Sequence, residues 1–379
     1  MRTDLCDRFG LDYPIFVFTP SEKVAAAVSR AGGVGVLGCV RFNEPDDLET
    51  VLGWMDNNTD GKPYGVDIVM PAKVPTEGTA VDINKLIPQS HRDFVAKTLA
   101  DLGVPPLPDD EKRNEGVLGW LHSVARSHVE VALKHPIKLI ANALGSPPKD
   151  VIDQAHEAGV PVAALAGSAE HAQRHVDNGV DIVVAQGHEA GGHTGEIGSM
   201  VLWPEVIDGL RALGHQTPVL AADGIGTGRQ VAAALALGAQ GVWIGSAFLT
   251  SAEYDLGHRK PSGVSTVQEA LLRANSSDTV RRRIYTGKPA RLLKTHWTDA
   301  WDGPDAPEPL PMPPAASTGA LPPRATTISG HSTIDPISPV CPPASCPCAT
   351  TMSTPLSTWR CACLALPASA ATGTPASWA

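Results

Sequence analysis

The sequence predicts an α/β protein in which eight β-then-α units close into a (β/α)8 barrel, the TIM-barrel fold. Eight apolar runs of strand length alternate with helical patterns along the chain. Most of these runs are continuously apolar, as expected of parallel strands that are buried on both faces. A chain of 379 residues is long enough for one such barrel. No Gly-x-Gly-x-x-Gly pattern follows the first strand, which disfavours an open doubly wound sheet.

The predicted strands are short runs rich in Val, Ile, Leu and Ala. They cover residues 15–18, 34–38, 65–70, 137–144, 160–166, 181–186, 218–222 and 241–245. The first predicted helix begins after Thr19-Pro20-Ser21, a capping sequence, and ends before Gly32. Similar start and stop signals predict further helices over 146–158, 168–178 and 227–237.

The connection between the third and fourth strands is too long for a simple crossover. We therefore predict a helical insertion over residues 72–126, with a helix at 89–102 placed over the mouth of the barrel. Residues 1–310 then form one barrel domain. Residues 311–379 are rich in Pro, Ala, Ser, Thr and Cys and contain three charged residues. We interpret this segment as a disordered, non-native tail, such as an out-of-frame reading of a GC-rich coding sequence.

Charge and cysteine content narrow the class of partner and the compartment. The net charge of −10, from 30 basic and 40 acidic side chains, argues against nucleic acid or an anionic membrane as the main partner. The charged N-terminus lacks the apolar core of a signal peptide, and only Cys6 and Cys39 precede residue 340. We expect a cytoplasmic protein with a small-molecule substrate, and homo-oligomerisation stays open.

The segment QGHEAGGH (residues 186–193) directly follows the sixth predicted strand. In a (β/α)8 barrel, catalytic groups gather at the C-terminal ends of the strands. Gly191 and Gly192 allow the backbone to bend sharply or to approach a ligand closely, and His193 stands at the edge of that bend. This context predicts a catalytic role for His193, and it places His188 at the rim of the site.

Two glycine clusters follow the seventh and eighth predicted strands. The first is ADGIGTGR (residues 222–229), which leads into a helix, and the second is Gly245-Ser246. Backbone N–H groups in such loops, together with a helix N-terminus, can hold a phosphate group. Phosphate sites at these two strands recur in (β/α)8 barrels, so the clusters predict a phosphate-bearing cofactor.

These motifs together resemble the nitronate monooxygenase family, also known as 2-nitropropane dioxygenase. The resemblance covers roughly residues 10–310. It is carried by QGHEAGGH (186–193), AADGI (221–225), AAALALGA (232–239), Gly245-Ser246, YPI (13–15) and VAAAVSRAGGVG (24–35). The resemblance implies a TIM barrel that binds FMN and oxidises alkyl nitronates with O2 to a carbonyl compound and nitrite.

The resemblance also assigns roles to individual residues. It implies that His193 is catalytic and that no metal takes part. The cofactor-binding residues that it implies are Thr19, Asp67, Gln186, Gly191, Gly192, Gly224, Gly245 and Ser246. Two departures change the chemistry: Asp67 stands where the family usually has Asn, and Asp223 stands where a glycine is common. An ionised carboxylate only accepts hydrogen bonds, and a negative charge opposes phosphate binding unless it points away.

Several alternatives stay open at this stage. His193 could remove the α-proton of a nitroalkane, or in its protonated form hold the charge of a nitronate. An NAD(P)H-dependent flavin oxidoreductase, such as an enoyl-acyl carrier protein reductase, is the nearest alternative enzyme. A catalytically impaired remnant barrel is the non-enzymatic alternative. Metal binding is disfavoured because the helical His-Glu-x-x-His spacing is absent. The run Arg281-Arg282-Arg283 is predicted to be a solvated or ion-paired helix face.

Overall fold

A computed structural model describes residues 2–70, 87–104, 122–256, 265–285 and 287–309. Its strands are β1 (Ile15–Thr19), β2 (Val34–Gly38), β3 (Tyr64–Ile68), β4 (Ile140–Asn142), β5 (Val162–Ala166), β6 (Ile182–Gln186), β7 (Gly192–His193), β8 (Val219–Ala222), β9 (Gly241–Ile244), β10 (Thr279–Arg282) and β11 (Ala290–Leu293). Eight of them form a closed parallel barrel in the order β1-β2-β3-β4-β5-β6-β8-β9. The predicted (β/α)8 fold class is therefore confirmed.

The helices lie between and after the barrel strands. They are α1 (Asp4–Phe9), α2 (Glu22–Arg30), α3 (Pro45–Asn58), α4 (Gln89–Asp101), α5 (His122–Ala132), α6 (Lys149–Glu157), α7 (Ala169–Asp177), α8 (Ser199–Ala212), α9 (Gly228–Ala236), α10 (Thr266–Arg273) and α11 (His296–Trp301). Ser21 and Ser168 accept hydrogen bonds from the first turns of α2 and α7, as their capping role predicts. Within the described residues, no helix is long and apolar enough to cross a membrane.

All eight predicted barrel strands are present, with differences at their ends. The largest difference is in β4, where the prediction covered 137–144 and the strand comprises only Ile140–Asn142. The apolar run continues before the strand because Ile137 and Leu139 are themselves buried. An apolar composition indicates which residues are buried, but it does not indicate which of them pair with a neighbouring strand. The prediction from composition is therefore longer than the strand.

Alternation along the strands divides the apolar core into an interior and an outer layer. The interior is filled by residues such as Phe16, Val36, Val184 and Trp243, and α1 contributes Leu5 to the same cluster. Residues of opposite parity pack against the surrounding helices. The inward-facing residues at the C-terminal ends of the strands therefore lie next to the loops that follow β6, β8 and β9.

The predicted insertion is described only in part. Helix α4 confirms the helix predicted at 89–102, while residues 71–86 and 105–121 lie outside the described residues. Val95 of α4 packs with Trp297 of α11, beside Tyr285, which follows β10. The insertion therefore packs against the segment that follows the barrel. The predicted tail, 311–379, also lies outside the described residues, and the division at residue 310 stays a prediction.

A second, three-stranded sheet has the order β10-β11-β7. The antiparallel hairpin of β10 and β11 pairs with the short strand β7, which contains His193. The prediction that the arginine run forms a helix face is wrong, because Arg281 and Arg282 lie in β10. Their ion pairs are real: Arg281 pairs with Glu196 at 2.8 Å and Arg282 with Asp302 at 2.6 Å. This segment forms a strand because the backbone of β11 supplies its hydrogen-bond partners. The charge pattern of residues 281–283 alone does not indicate this pairing.

Candidate active site

The site lies at the C-terminal end of the barrel, where the loop after β6 meets the loops after β8 and β9. We call residues 187–198 the histidine loop. It closes on itself through hydrogen bonds from His188 N–H to the Ile197 carbonyl (2.9 Å) and from Gly195 N–H to the Gly187 carbonyl (2.9 Å). These bonds fold the predicted strand-end loop into a compact turn that holds β7 at its edge.

The hairpin of β10 and β11 fastens the outer side of the histidine loop. The backbone of Ala290 pairs with that of His193, and Thr194 N–H donates to the Pro289 carbonyl at 3.0 Å. The Arg281 guanidinium donates to the Thr194 hydroxyl at 2.7 Å and to the Gly195 carbonyl at 3.0 Å. The backbone of the catalytic candidate is therefore part of a sheet, which restricts where its imidazole can go.

A second arginine holds the inner part of the loop. Arg291 donates to the His188 carbonyl at 3.0 Å, lies 3.3 Å from His188 Nδ1, and also donates to Thr279 at 3.1 Å. His188, which was predicted to lie at the rim of the site, thus connects the histidine loop to the hairpin. Sequence reasoning missed Arg291, because no local motif marks an arginine that acts on a residue about a hundred positions earlier in the chain.

His193 lies in β7 at the edge of the histidine loop, where the residue is exposed to solvent on one side and the surrounding protein desolvates its imidazole. Burial lowers the pKa of His193, and the positive charge of Lys288 lowers it further. Because the folded protein disfavours the charged ring, the imidazole is neutral at neutral pH. A neutral imidazole can accept a proton, so the electrostatics favour the base role over the role of a cationic charge holder.

The histidine loop touches both glycine loops that were predicted to hold phosphate. Gly191 packs directly against the Ser246 side chain, so closely that a Cβ atom at Gly191 would overlap its hydroxyl oxygen. Glu189 lies beside Gly224 in the loop after β8. Gly245, on the far side, lies against Phe18 at the end of β1. The structure therefore brings together the three loops that the sequence singled out separately.

The loop after β8 is organised by Gln230 of α9. Its side chain accepts hydrogen bonds from Gly226 N–H and the Thr227 hydroxyl, both at 2.9 Å, and donates to the Gly224 carbonyl at 2.8 Å. The Thr227 side chain makes no capping bond to the first turn of α9. Backbone N–H groups at this helix start are therefore not satisfied by a side-chain cap, which suits a bound anion.

Asp223 occupies a strained backbone position beside this loop. Its φ of 154° lies in a region that favours glycine. Its carboxyl group is directed toward Gly187 and Glu189 of the histidine loop, and neither oxygen makes a well-formed hydrogen bond among the described residues. Burial and, to a smaller extent, the nearby Glu189 carboxylate raise the pKa of Asp223 to about 7. The carboxyl group is only partly ionised at neutral pH, which reduces its repulsion of a phosphate.

Replacing Asp223 with glycine is expected to stabilise the protein by about 1–3 kcal/mol by removing the backbone strain. A second gain depends on pH. The raised pKa means that the folded state holds its proton after the unfolded chain has lost it, so wild-type stability falls as the pH rises from about 4 to about 7. Urea unfolding at about pH 4.5 and about pH 7.5 measures both effects.

Asp223→Asn is the matched control for this prediction. It removes the ionisable group and keeps the Cβ atom, so it should share the pH-dependent gain and lack the gain from relieved strain. An Asp223→Gly protein that is no more stable than Asp223→Asn would contradict the assignment of strain to this position.

The remaining predicted cofactor residues lie on the barrel strands. Alternation directs Gln186 and Asp67 into the barrel interior, at the ends of β6 and β3. Asp67 is buried, and burial raises its pKa to about 8. Thr19 has the opposite parity to the interior residue Phe18, and its hydroxyl accepts a hydrogen bond from Ser21 N–H at 3.1 Å. The Thr19 side chain therefore serves the turn into α2, which leaves only its backbone for a cofactor.

The chemistry of the site fits FMN. The backbone N–H groups of the glycine loops after β8 and β9, with those at the start of α9, would serve as donors to its phosphate. A side chain at Gly191 would overlap Ser246, so the close approach of these two loops requires glycine at this position. Inside the barrel mouth, an oxygen of the buried Asp67 side chain has no hydrogen-bond partner among the described residues. The same residues contain no group of three or more His, Cys, Asp or Glu side chains that could hold a metal ion.

Comparisons with known proteins agree with this geometry. Residues 13–326 match the family model described as nitronate monooxygenase. The chain is 49% identical to a Mycobacterium tuberculosis protein whose name describes a monooxygenase, over 83% of this chain and 82% of that protein. A nitroalkane oxidase from Streptomyces ansochromogenes has a TM-score of 0.65 at 27% identity, covering 86% of this chain and 90% of its own. FabK from Thermotoga maritima has a TM-score of 0.57 at 28% identity, covering 78% and 75%.

Proposed function

Because the chain belongs to the nitronate monooxygenase family of FMN-dependent oxidoreductases, we propose that it oxidises alkyl nitronates with O2 to a carbonyl compound and nitrite. Nitroalkanes become substrates if the protein first removes their α-proton. One observation carries the proposal: a neutral imidazole, His193, belongs to the histidine loop, which packs against the two glycine loops that we assign to the phosphate. The two cysteines of the described residues, Cys6 and Cys39, are unpaired thiols, which supports a cytoplasmic location.

The proposed roles follow from the positions of the residues. His193 takes the α-proton of a nitroalkane, and the positive charge of Lys288 near it favours an anionic product beside the imidazole. FMN held in this site would supply the redox chemistry that couples oxidation of the nitronate to reduction of O2. We assign the cofactor contacts to Asp67, Gln186, Gly191, Gly192, Gly224, Gly245 and Ser246, and to the backbone of Thr19. The hairpin and the histidine loop hold the base in place.

Oxygen consumption tests this function directly. The purified protein, reconstituted with FMN, should consume O2 and release nitrite when propionate 3-nitronate is added. The Asp223→Gly variant is a useful parallel sample, because we expect it to be more stable and to keep its catalytic base. A yellow, FMN-loaded protein that neither consumes O2 nor releases nitrite with any short alkyl nitronate would contradict the proposal.

The likeness to FabK supports one alternative function. An NAD(P)H-dependent flavin oxidoreductase, such as an enoyl-acyl carrier protein reductase, could use the same barrel. Anaerobic bleaching of the bound flavin by NADH or NADPH would favour that alternative, whereas bleaching by the nitronate alone would favour the proposed function. A folded, colourless protein that does not take up added FMN would contradict both, and would favour a remnant barrel.

A further inference from the structure

A carboxyl group lies in the apolar interior of the barrel, at the C-terminal end of β3. The Asp67 side chain is 2% exposed, and its Oδ1 atom has no hydrogen-bond partner among the described residues. Its neighbours in strand register are Gly38 on β2 and Ala141 on β4. Neither neighbour supplies a polar side chain, and the space beside Gly38 is taken by the apolar ring of Phe18.

The flanking residues of β3 establish where this group points. Val66 and Ile68 pack in the outer layer with residues of the surrounding helices, so Asp67, between them, faces the barrel interior. The inward residue at the end of β6, Gln186, faces the same interior from another part of the barrel wall. The unpartnered oxygen therefore belongs to a polar position in an apolar barrel mouth, where the ring of a bound cofactor would lie.

The charged and titratable groups around Asp67 do not stabilise a carboxylate. No described residue forms an ion pair with it, and burial alone raises its pKa, to about 8. A titratable group that interacts with Asp67 is the Cys39 thiol, whose pKa is raised by burial and then by Asp67, so the thiol stays protonated. Arg41, which lies near Cys39, pairs with Glu22 at 2.7 Å. Burying an unpaired carboxylate in this interior would cost far more free energy than burying a carboxylic acid.

We propose that Asp67 stands in the barrel mouth as a neutral carboxylic acid and donates its proton in a hydrogen bond to an acceptor atom of the flavin ring. This inference rests on the proposed FMN-dependent function and names a group that makes cofactor binding depend on pH. The ring edges of a flavin carry carbonyl oxygens and ring nitrogens that accept hydrogen bonds. A carboxylic acid offers them an O–H donor, and a carboxylate offers none. Asp67 is here a positioning residue for the cofactor.

The test measures FMN affinity, by quenching of flavin fluorescence, for wild type, Asp67→Asn and Asp67→Leu. If binding requires the protonated acid, wild-type Kd should be about tenfold weaker at about pH 9 than at about pH 6.5, given a pKa of about 8. Asp67→Asn keeps a donor that does not titrate, so its Kd should change by less than about twofold. Asp67→Leu keeps a branched side chain but has no hydrogen-bond donor. It should bind FMN about three- to tenfold more weakly than Asp67→Asn at both pH values.

The comparison between variants separates Asp67 from other titrations. Asp223 and the FMN phosphate also change charge over this range, but they do so equally in wild type and in Asp67→Asn. Parallel pH dependence in these two proteins would overturn the inference, and so would equal affinities of Asp67→Leu and Asp67→Asn. If Asp67→Leu does not fold, the first comparison still decides. Failure of wild type to bind FMN at either pH would instead defeat the proposed function, and this inference with it.

Discussion

Replacing His193 with asparagine is expected to lower kcat for a neutral nitroalkane by about 10²–10⁴-fold while FMN binding is retained. In the proposed mechanism the neutral imidazole accepts the α-proton, and the asparagine amide cannot take its place at neutral pH. The glycine loops and the start of α9, which we assign to the cofactor, are unchanged by this substitution. Steady-state oxygen consumption and the flavin content of the purified variant provide the two measurements.

A preformed nitronate separates the two roles that the sequence left open for His193. The nitronate has already lost its α-proton, so a variant without the base should oxidise it at a rate close to that of wild type. An equally large loss with the nitronate would show that His193 holds the substrate's charge. Unchanged turnover with both substrates would remove His193 from the mechanism altogether.

Replacing Gly35 with alanine is expected to destabilise the barrel by about 3 kcal/mol or more. Gly35 lies in β2 where that strand crosses α2, and a Cβ atom there would overlap the backbone of Ala25. A flexible side chain could turn away from such an overlap, but a helix backbone cannot move without disturbing the layer around it. Urea unfolding of the FMN-loaded protein measures the loss.

Gly53 provides the matched control for this substitution. It lies inside α3, and a Cβ atom there would have nothing within 4 Å. Gly53→Ala should therefore stabilise the protein by about 0.5–1 kcal/mol, since alanine favours the helix more than glycine does. If Gly35→Ala and Gly53→Ala unfold at the same urea concentration, the close contact between β2 and α2 does not limit the stability of this barrel.

The barrel could be predicted from sequence because burial on both faces leaves a strong local signal. Most barrel strands are runs of apolar residues, and helices such as α2, α6 and α7 start directly after a serine or a proline. The second sheet left no comparable signal. Strand β7 has two residues, and β10 carries arginines whose partners, such as Glu196, are distant in sequence. Pairing that depends on distant residues cannot be derived from local pattern.

The site was predictable to a similar extent. The histidine loop and the glycine loops were identified from their positions after consecutive strands, and the structure brings them into contact. The direction of the Asp223 side chain and the outward orientation of Thr19 depend on backbone geometry that composition does not encode. Arg291 was missed for the same reason as the hairpin, because its contact with His188 joins residues far apart in the chain.

The pairing of β7 with the hairpin has a consequence for the order in which the protein forms during synthesis. The last barrel strand, β9, ends at Ile244, so the wall can close before the hairpin has left the ribosome. His193 acquires its backbone partner only when Ala290 emerges, and the loop acquires its clamp only with Arg291. We therefore expect a nascent chain to hold a closed barrel in which the histidine loop is not yet ordered. The barrel would then fold before the proposed site is complete.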